Sequence, residues 1–67
     1  MKANTNINPA IDPETILNIA IKKEEEARRL RRDAEFASAA GESRLADVWS
    51  ERADDLLREV DELLALV

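Results

Sequence analysis

The sequence predicts an all-α protein: an antiparallel helical hairpin, with a helix over about 13–40, a turn over about 41–43 and a second helix over about 43–67. Three observations support this fold class. The 67 residues are rich in Ala, Leu, Glu and Arg and include one glycine and two prolines, a composition typical of helix. Apolar residues recur in a heptad pattern in both halves of the chain. The single glycine, Gly41, lies between the two halves, where the chain must turn.

In each half of the chain, the apolar heptad positions form a line along the helix, which we call its seam. The numbers of residues that face each other across the two seams add to a constant, as expected for antiparallel helices whose seams are in contact. Seven pairs add to 83, and in four of them a small residue faces a large one. Interleaved small and large residues fill the space between closely packed helices. The predicted layers are Ala37–Ala46, Ala34–Trp49, Leu30–Ala53, Ala27–Leu56, Lys23–Val60, Ala20–Leu63 and Ile16–Val67.

The chain before the first helix, residues 1–11, is polar and is predicted to be a flexible arm, although Ile7 is an alternative anchor on the body. The hairpin itself is predicted over residues 12–67. Asp12 is a good N-cap and Pro13 suits the first helical position. Ile11 and Ile16 occupy the two positions of a hydrophobic staple. The start of the first helix is therefore well defined by local signals.

Gly41 suits the left-handed position that ends a helix, so the first helix is expected to stop at about Ala40. Ser43 is predicted to cap the second helix, which we expect to continue to near Val67.

Lys23 is the one charged residue on the seams, opposite Val60. We expect its stem to be buried while its ammonium group reaches a carboxylate such as Glu26 or Glu59. Two alternatives are that it specifies the register of the helices, as polar core residues do in coiled coils, or that it binds a ligand.

The apolar surface is wider than one helix–helix contact can cover, which predicts self-association into a four-helix bundle, as a homodimer or a higher oligomer. Contact with a different protein is the alternative. The sequence leaves the relative orientation of the two hairpins open. The predicted interface residues are Leu17, Ile19, Ile21, Leu57, Leu64 and Leu66.

The segment from Lys22 to Glu35 has the highest density of charge in the chain. Opposite charges at helical spacing predict a solvated face whose side chains pair with one another, for example Glu24 with Arg28 and Arg31 with Glu35. The alternative is an RNA surface, because arginines contact phosphates and an exposed aromatic ring stacks on bases. Its residues would be Arg28, Arg29 and Arg32 with Phe36, unless Phe36 packs against Val48.

The composition disfavours several other classes of protein. A net charge of −5 argues against general nucleic-acid or membrane-surface binding, so we expect no membrane partner. With no histidine and no cysteine, the chain lacks the usual bases and soft metal ligands, and one glycine cannot form a phosphate-binding loop. The sequence therefore predicts no catalytic residue, no metal and no cofactor. The absence of cysteine fits a cytoplasmic protein.

The alternating small and large layers resemble those of the Rop family, whose dimeric four-helix bundles bind RNA hairpins. This resemblance is one of packing style and covers only the two helices. Our leading prediction is a small, non-enzymatic, homo-oligomeric regulatory protein that acts by protein–protein binding. The alternative that the resemblance implies is an RNA-binding regulator that uses the Arg28–Arg32 cluster and Phe36.

Overall fold

A computed structural model of the protein describes residues 12–67, which form two helices in one hairpin. Helix α1 is Pro13–Ala39 and helix α2 is Ser43–Leu64, and the two pack against each other along their length. The predicted all-α hairpin is thus confirmed. The predictions for residues 1–11, including the anchor at Ile7 and the staple residue Ile11, lie outside the described residues.

The start of α1 is fixed by a side-chain cap, as predicted. Asp12 has extended backbone geometry, and its Oδ1 accepts a hydrogen bond from the backbone N–H of Glu14 at 3.1 Å. The carbonyl of Asp12 accepts the first helical bond, from the N–H of Ile16 at 3.1 Å. Pro13 has no N–H to leave unsatisfied at the first helical position.

The end of α1 is a Schellman turn centred on Gly41. The N–H of Glu42 donates to the carbonyl of Ala37 at 2.8 Å, and the N–H of Gly41 donates to Ser38 at 3.1 Å. Both bonds satisfy carbonyl groups that the helix cannot satisfy itself. Gly41 has a φ of 85°, a left-handed conformation that residues with a Cβ adopt only at a cost. The glycine is therefore required by the backbone of the turn.

The start of α2 differs from the prediction, because Glu42 and not Ser43 precedes the helix. The carbonyl of Glu42 accepts from the N–H of Ala46 at 3.0 Å, and its side chain makes no capping hydrogen bond. The Schellman turn draws the N–H of Glu42 back onto α1, so the chain enters α2 at the next residue. Ser43 is already inside the helix and cannot cap it.

The core coincides with the predicted seams, since every buried residue in the described part of the chain belongs to one of the seven layers. Ala27, Ala53 and Leu56 form one buried cluster, with Leu30 and Leu57 packed against it. A second cluster lies nearer the turn, where the half-buried ring of Trp49 packs against three buried alanines. The buried residues are Ile16, Ala20, Ala27, Ala34, Ala37, Ala46, Ala53, Leu56 and Val60.

The outermost predicted layer is not closed, because α2 ends at Leu64 and not near Val67. The last residues form a turn in which the N–H of Leu66 donates to Leu63 at 3.0 Å and that of Val67 to Leu64 at 3.3 Å. Val67 is 55% exposed.

Candidate interaction surfaces

The hairpin has two broad faces, and an ion pair between the helices marks each. On the first, which we call the Lys23 face, Lys23 Nζ lies 2.8 Å from Glu59 Oε1. On the opposite Arg31 face, Arg31 Nη2 lies 2.6 Å from Asp54 Oδ1. Both pairs join a cation of α1 to a carboxylate of α2.

The Lys23–Glu59 pair confirms that the seam lysine extends to a carboxylate. Its side chains are 33% and 43% exposed, so the stem of Lys23 covers part of the seam while both charges remain in contact with water. The hydrogen bond from Lys23 and its positive charge lower the pKa of Glu59 below the ordinary glutamate value of 4.5, with a smaller contribution from Arg52.

Near the turn, the Lys23 face has an apolar groove that we call the turn-end patch. Trp49 and Ala37 form its base, Phe36 and Leu45 line its sides, and Asp33 and Glu42 complete its rim. Phe36 is 76% exposed. Val48, which lies about one helical turn after Leu45 on the same side of α2, is also exposed. Neither Phe36 nor Val48 is therefore buried by the other.

At the other end of the same face lies a second apolar area, which we call the open-end patch. Leu63 and Leu66 line a shallow groove beside Lys23 and Glu59. Leu66 is 63% exposed, and Ile19 on α1 is exposed on the same side of the hairpin. The Lys23 face therefore has apolar side chains at both ends and charged side chains between them.

Among residues 12–67, the large apolar side chains that are exposed on the Arg31 face lie near the open end. They are Leu17, Ile21 and Leu64. Towards the turn, the groove of this face is lined by Ser38, Asp47 and Ser50 with Arg31 and Glu35, over the buried alanines of the seam. The two faces thus differ in where their apolar groups lie.

The predicted interface residues are distributed over both faces. Five of the six, Leu17, Ile19, Ile21, Leu64 and Leu66, are exposed. Leu57 is half-buried because it packs against the cluster around Ala27, so it serves the hairpin's own core.

Apart from Phe36, the residues of the turn-end patch do not belong to the surfaces predicted from the sequence. The signal was present in the spacing of residues 45, 48, 52, 55, 59, 62 and 66, which forms one stripe of α2.

The four neighbouring arginines do not form one surface. Arg28 Nη2 lies 3.4 Å from Glu24 Oε2, as predicted, and shares the Arg31 face. Arg31 bonds Asp54 across the hairpin and not the predicted Glu35, because the close approach of the helices brings the α2 carboxylate within reach. Arg32 is the arginine that lines a groove with Phe36, and Glu35 lies beside it. The predicted RNA residues Arg28, Arg29, Arg32 and Phe36 follow one another at helical spacing on the outer side of α1, and only Arg31 is turned towards α2.

Within residues 12–67, no group of three or more acidic, histidine or cysteine side chains is arranged to hold a metal ion. None of the helices in that range is sufficiently long and apolar to cross a membrane. Comparison with known proteins found no matching family, no matching curated protein and no matching solved structure. The function must therefore be argued from the surfaces themselves.

Proposed function

We propose that the protein is a small, non-enzymatic interaction protein, which associates with further copies of itself and acts by binding another protein. The observation that carries this proposal is the location of the large apolar side chains. The hairpin buries only its seam, and both broad faces keep exposed Leu, Ile, Val or Phe residues in patches. Contiguous apolar patches on a small domain are typical of protein–protein contact sites.

The size of the chain supports the same conclusion. A chain of 67 residues has a small core, and small domains of this kind often gain stability by association. The buried core here consists mainly of alanine, and Leu56 is the largest side chain that is fully buried. Covering the exposed apolar patches adds the hydrophobic burial that this core lacks. We also propose that the protein is cytoplasmic. A chain with no cysteine forms no disulfide, so its fold does not depend on an oxidising compartment.

For the binding of a different protein we propose the apolar area of the Arg31 face, formed by Leu17, Ile21 and Leu64. This apolar area lies at one end of the Arg31 face. A second hairpin that packed antiparallel on this face would place polar residues on the area, so a different protein suits it better. A partner that presents a short apolar helix or loop would fit its extent.

The test uses the intact chain as bait in extracts of its source cells, with Ile21→Arg as the variant. Ile21 is about half exposed, so the added charge leaves the hairpin folded but disturbs the patch. Asn18→Arg is the matched control, because it adds the same charge on the outer side of α1. We expect a defined protein to be retained by the wild type and the control and lost with Ile21→Arg.

RNA binding remains the alternative, and the exposed ring of Phe36 beside Arg32 is the observation in its favour. An RNA complex would weaken steeply with salt and would be lost with Arg28→Glu and Arg32→Glu. A different outcome is that the bait retains RNA that ribonuclease removes and that Ile21→Arg does not affect. RNA binding would then replace protein binding as the proposed function. The acidic side chains interleaved with the arginines favour the protein partner.

A further inference from the structure

We propose that two copies of the chain pair in antiparallel orientation through their Lys23 faces, so that the turn-end patch of each copy covers the open-end patch of the other. This inference rests on the self-association in the proposed function and specifies its geometry. It leaves the Arg31 face of both copies open to a different protein.

The first support is the order of residues along α1. The outward stripe of this helix on the Lys23 face consists of residues 19, 22, 26, 29, 33 and 36, at steps of three and four. When two identical helices pack antiparallel about a two-fold axis, the numbers of the two residues in each opposed pair add to the same value. For a sum of 55, the pairs are complementary throughout: Ile19 with Phe36, Lys22 with Asp33 and Glu26 with Arg29.

The stripe of α2 gives the same result independently. For a sum of 110 to 111, Leu45 opposes Leu66 and Arg52 opposes Glu59, while Val48 opposes Glu62 and the neighbouring Leu63. At the ends of the stripe apolar groups again meet, and between them Arg52 meets the opposite charge of Glu59. Asp55 lies close to the axis, and its charge is balanced within its own helix by Arg58, whose Nη1 lies 3.1 Å from Asp55 Oδ1.

Both helices place the axis at the same level of the hairpin, although nothing requires two unrelated sequences to do so. The sum of 55 puts it between Ala27 and Arg28 of α1, and the sum of 111 between Asp55 and Leu56 of α2. Ala27 and Leu56 face each other in one fully buried layer. One two-fold axis therefore satisfies both helices at once.

The charged groups in the middle of the face are available for pairing between copies. Among residues 12–67, the ion pairs formed within the chain do not include Lys22, Glu26, Arg29, Asp33 or Arg52. Arg29 and Asp33 lie four residues apart on α1 but form no ion pair with each other. Complementary charges that face a partner select its orientation more than they add affinity.

Other arrangements of two copies contain mismatches. A parallel pair through the same face also joins Lys22 with Glu62 and Asp33 with Arg52, but it would set Glu26 of one copy against Glu59 of the other. An antiparallel pair through the Arg31 face would set Leu17 against Ser38 and Ile21 against Glu35.

The area of the face is also sufficient. Helix α1 has 27 residues, so the hairpin is ~40 Å long, and two helices each ~10 Å across give one face an area of ~800 Å². A stable protein–protein interface covers about 800 Å² of each partner.

The test is a charge-exchange cycle in which the dimer dissociation constant is measured by sedimentation equilibrium at low salt. Lys22→Glu and Asp33→Lys each create two like-charge pairs in the antiparallel dimer, and we expect each to raise the constant about 2- to 30-fold. The double variant restores both pairs and should return to within about threefold of the wild type. Lys22 and Asp33 lie ~16 Å apart along α1, so the restoration cannot arise within one chain.

The outcomes separate the two proposals. A double variant that dimerises no better than the single variants overturns the antiparallel pairing and leaves self-association intact. Wild-type protein that remains a single copy at every concentration overturns the pairing and the self-association together, while the partner-capture experiment with Ile21→Arg still tests the binding of another protein.

A cross-linking experiment gives a second, independent readout. The chain has no cysteine, so Ile19→Cys with Phe36→Cys introduces the only two thiols, ~25 Å apart along one helix and too far for a bond within a chain. We expect oxidation to give a covalent dimer from the double variant and not from either single variant. A double variant that remains monomeric, or a single variant that cross-links equally well, would contradict the pairing.

Discussion

The turn end and the open end of this hairpin are built on the same heptad but are closed in different ways. At the turn, Gly41 and the two Schellman hydrogen bonds hold the helices together, and the Ala37–Ala46 layer is buried. At the open end the helices are joined by side chains alone, α2 stops at Leu64, and Leu66 and Val67 are exposed. A turn thus completes one end within the chain, while the other end keeps large apolar side chains exposed.

The largest expected effect concerns the middle layer, which sets the separation of the helices for both ends. Ala27 is fully buried against Leu56, so Ala27→Leu forces overpacking and should lower the free energy of unfolding by ~1–3 kcal/mol. Because the turn holds its own end closed, the strain should appear mainly at the open end. Urea unfolding measures the loss, and amide hydrogen exchange should quicken more near Asp61 than near Ala46. An equal increase in the rate of amide exchange at both ends would contradict the view that the turn end is held closed more firmly than the open end.

A somewhat smaller effect is expected at the turn itself. A Cβ at Gly41 would meet no atom within 4 Å, so the effect of Gly41→Ala comes from the left-handed backbone alone. We expect a loss of ~1–2 kcal/mol in the free energy of unfolding. Ser43→Ala is the matched control and should change stability by less than ~0.5 kcal/mol, because Ser43 lies inside α2 and does not cap it. A larger loss from the control would restore Ser43 as the cap.

Some features of the fold could be predicted from the sequence, and others could not. The seam layers, the Asp12 cap and the turn at Gly41 were predictable because each depends on residue type and local spacing. The bond from Arg31 to Asp54 was not, because it depends on the distance between two helices. Nor was the end of α2, since no glycine or proline follows Leu64 to mark a stop.

The candidate surfaces were predictable in part. The excess of apolar residues at the open end follows from counting positions outside the seam. The turn-end patch depends on the side to which Phe36, Leu45 and Trp49 point, and that required the paired helices. That Arg31 points towards α2 while the other arginines point outwards has the same origin.

A change at Lys23 tests the open half of the seam. The Lys23–Glu59 pair is partly exposed and therefore contributes little, whereas a leucine opposite Val60 would add apolar burial. We expect Lys23→Leu to raise the melting temperature by ~4–8 °C, the shift that ~1 kcal/mol produces in a domain of this size. Asn18→Leu, on the outer side of α1, is the control and should leave the melting temperature unchanged. A fall of several degrees with Lys23→Leu would show that the ion pair holds this half of the hairpin.

The smallest expected effect is the dependence of the same ion pair on pH. Because the pKa of Glu59 is lowered in the folded chain, the pair stabilises the fold above pH 4.5, and this contribution is lost as the pH falls below 4.5 through the folded pKa. The difference in the free energy of unfolding between wild type and Glu59→Gln should therefore be constant at neutral pH and shrink in acid. Urea titrations at dilutions where the chain is a single copy measure it. A difference that grows in acid would contradict the lowered pKa.

The position of Trp49 provides an optical reporter that needs no label. It is the single tryptophan of the chain, and its half-buried indole forms part of the base of the turn-end patch. A second copy that covers this patch would remove water from the ring, so the emission maximum should shift to shorter wavelength as concentration rises. Binding confined to the Arg31 face would leave the emission unchanged, so a simple fluorescence titration distinguishes occupation of the two faces.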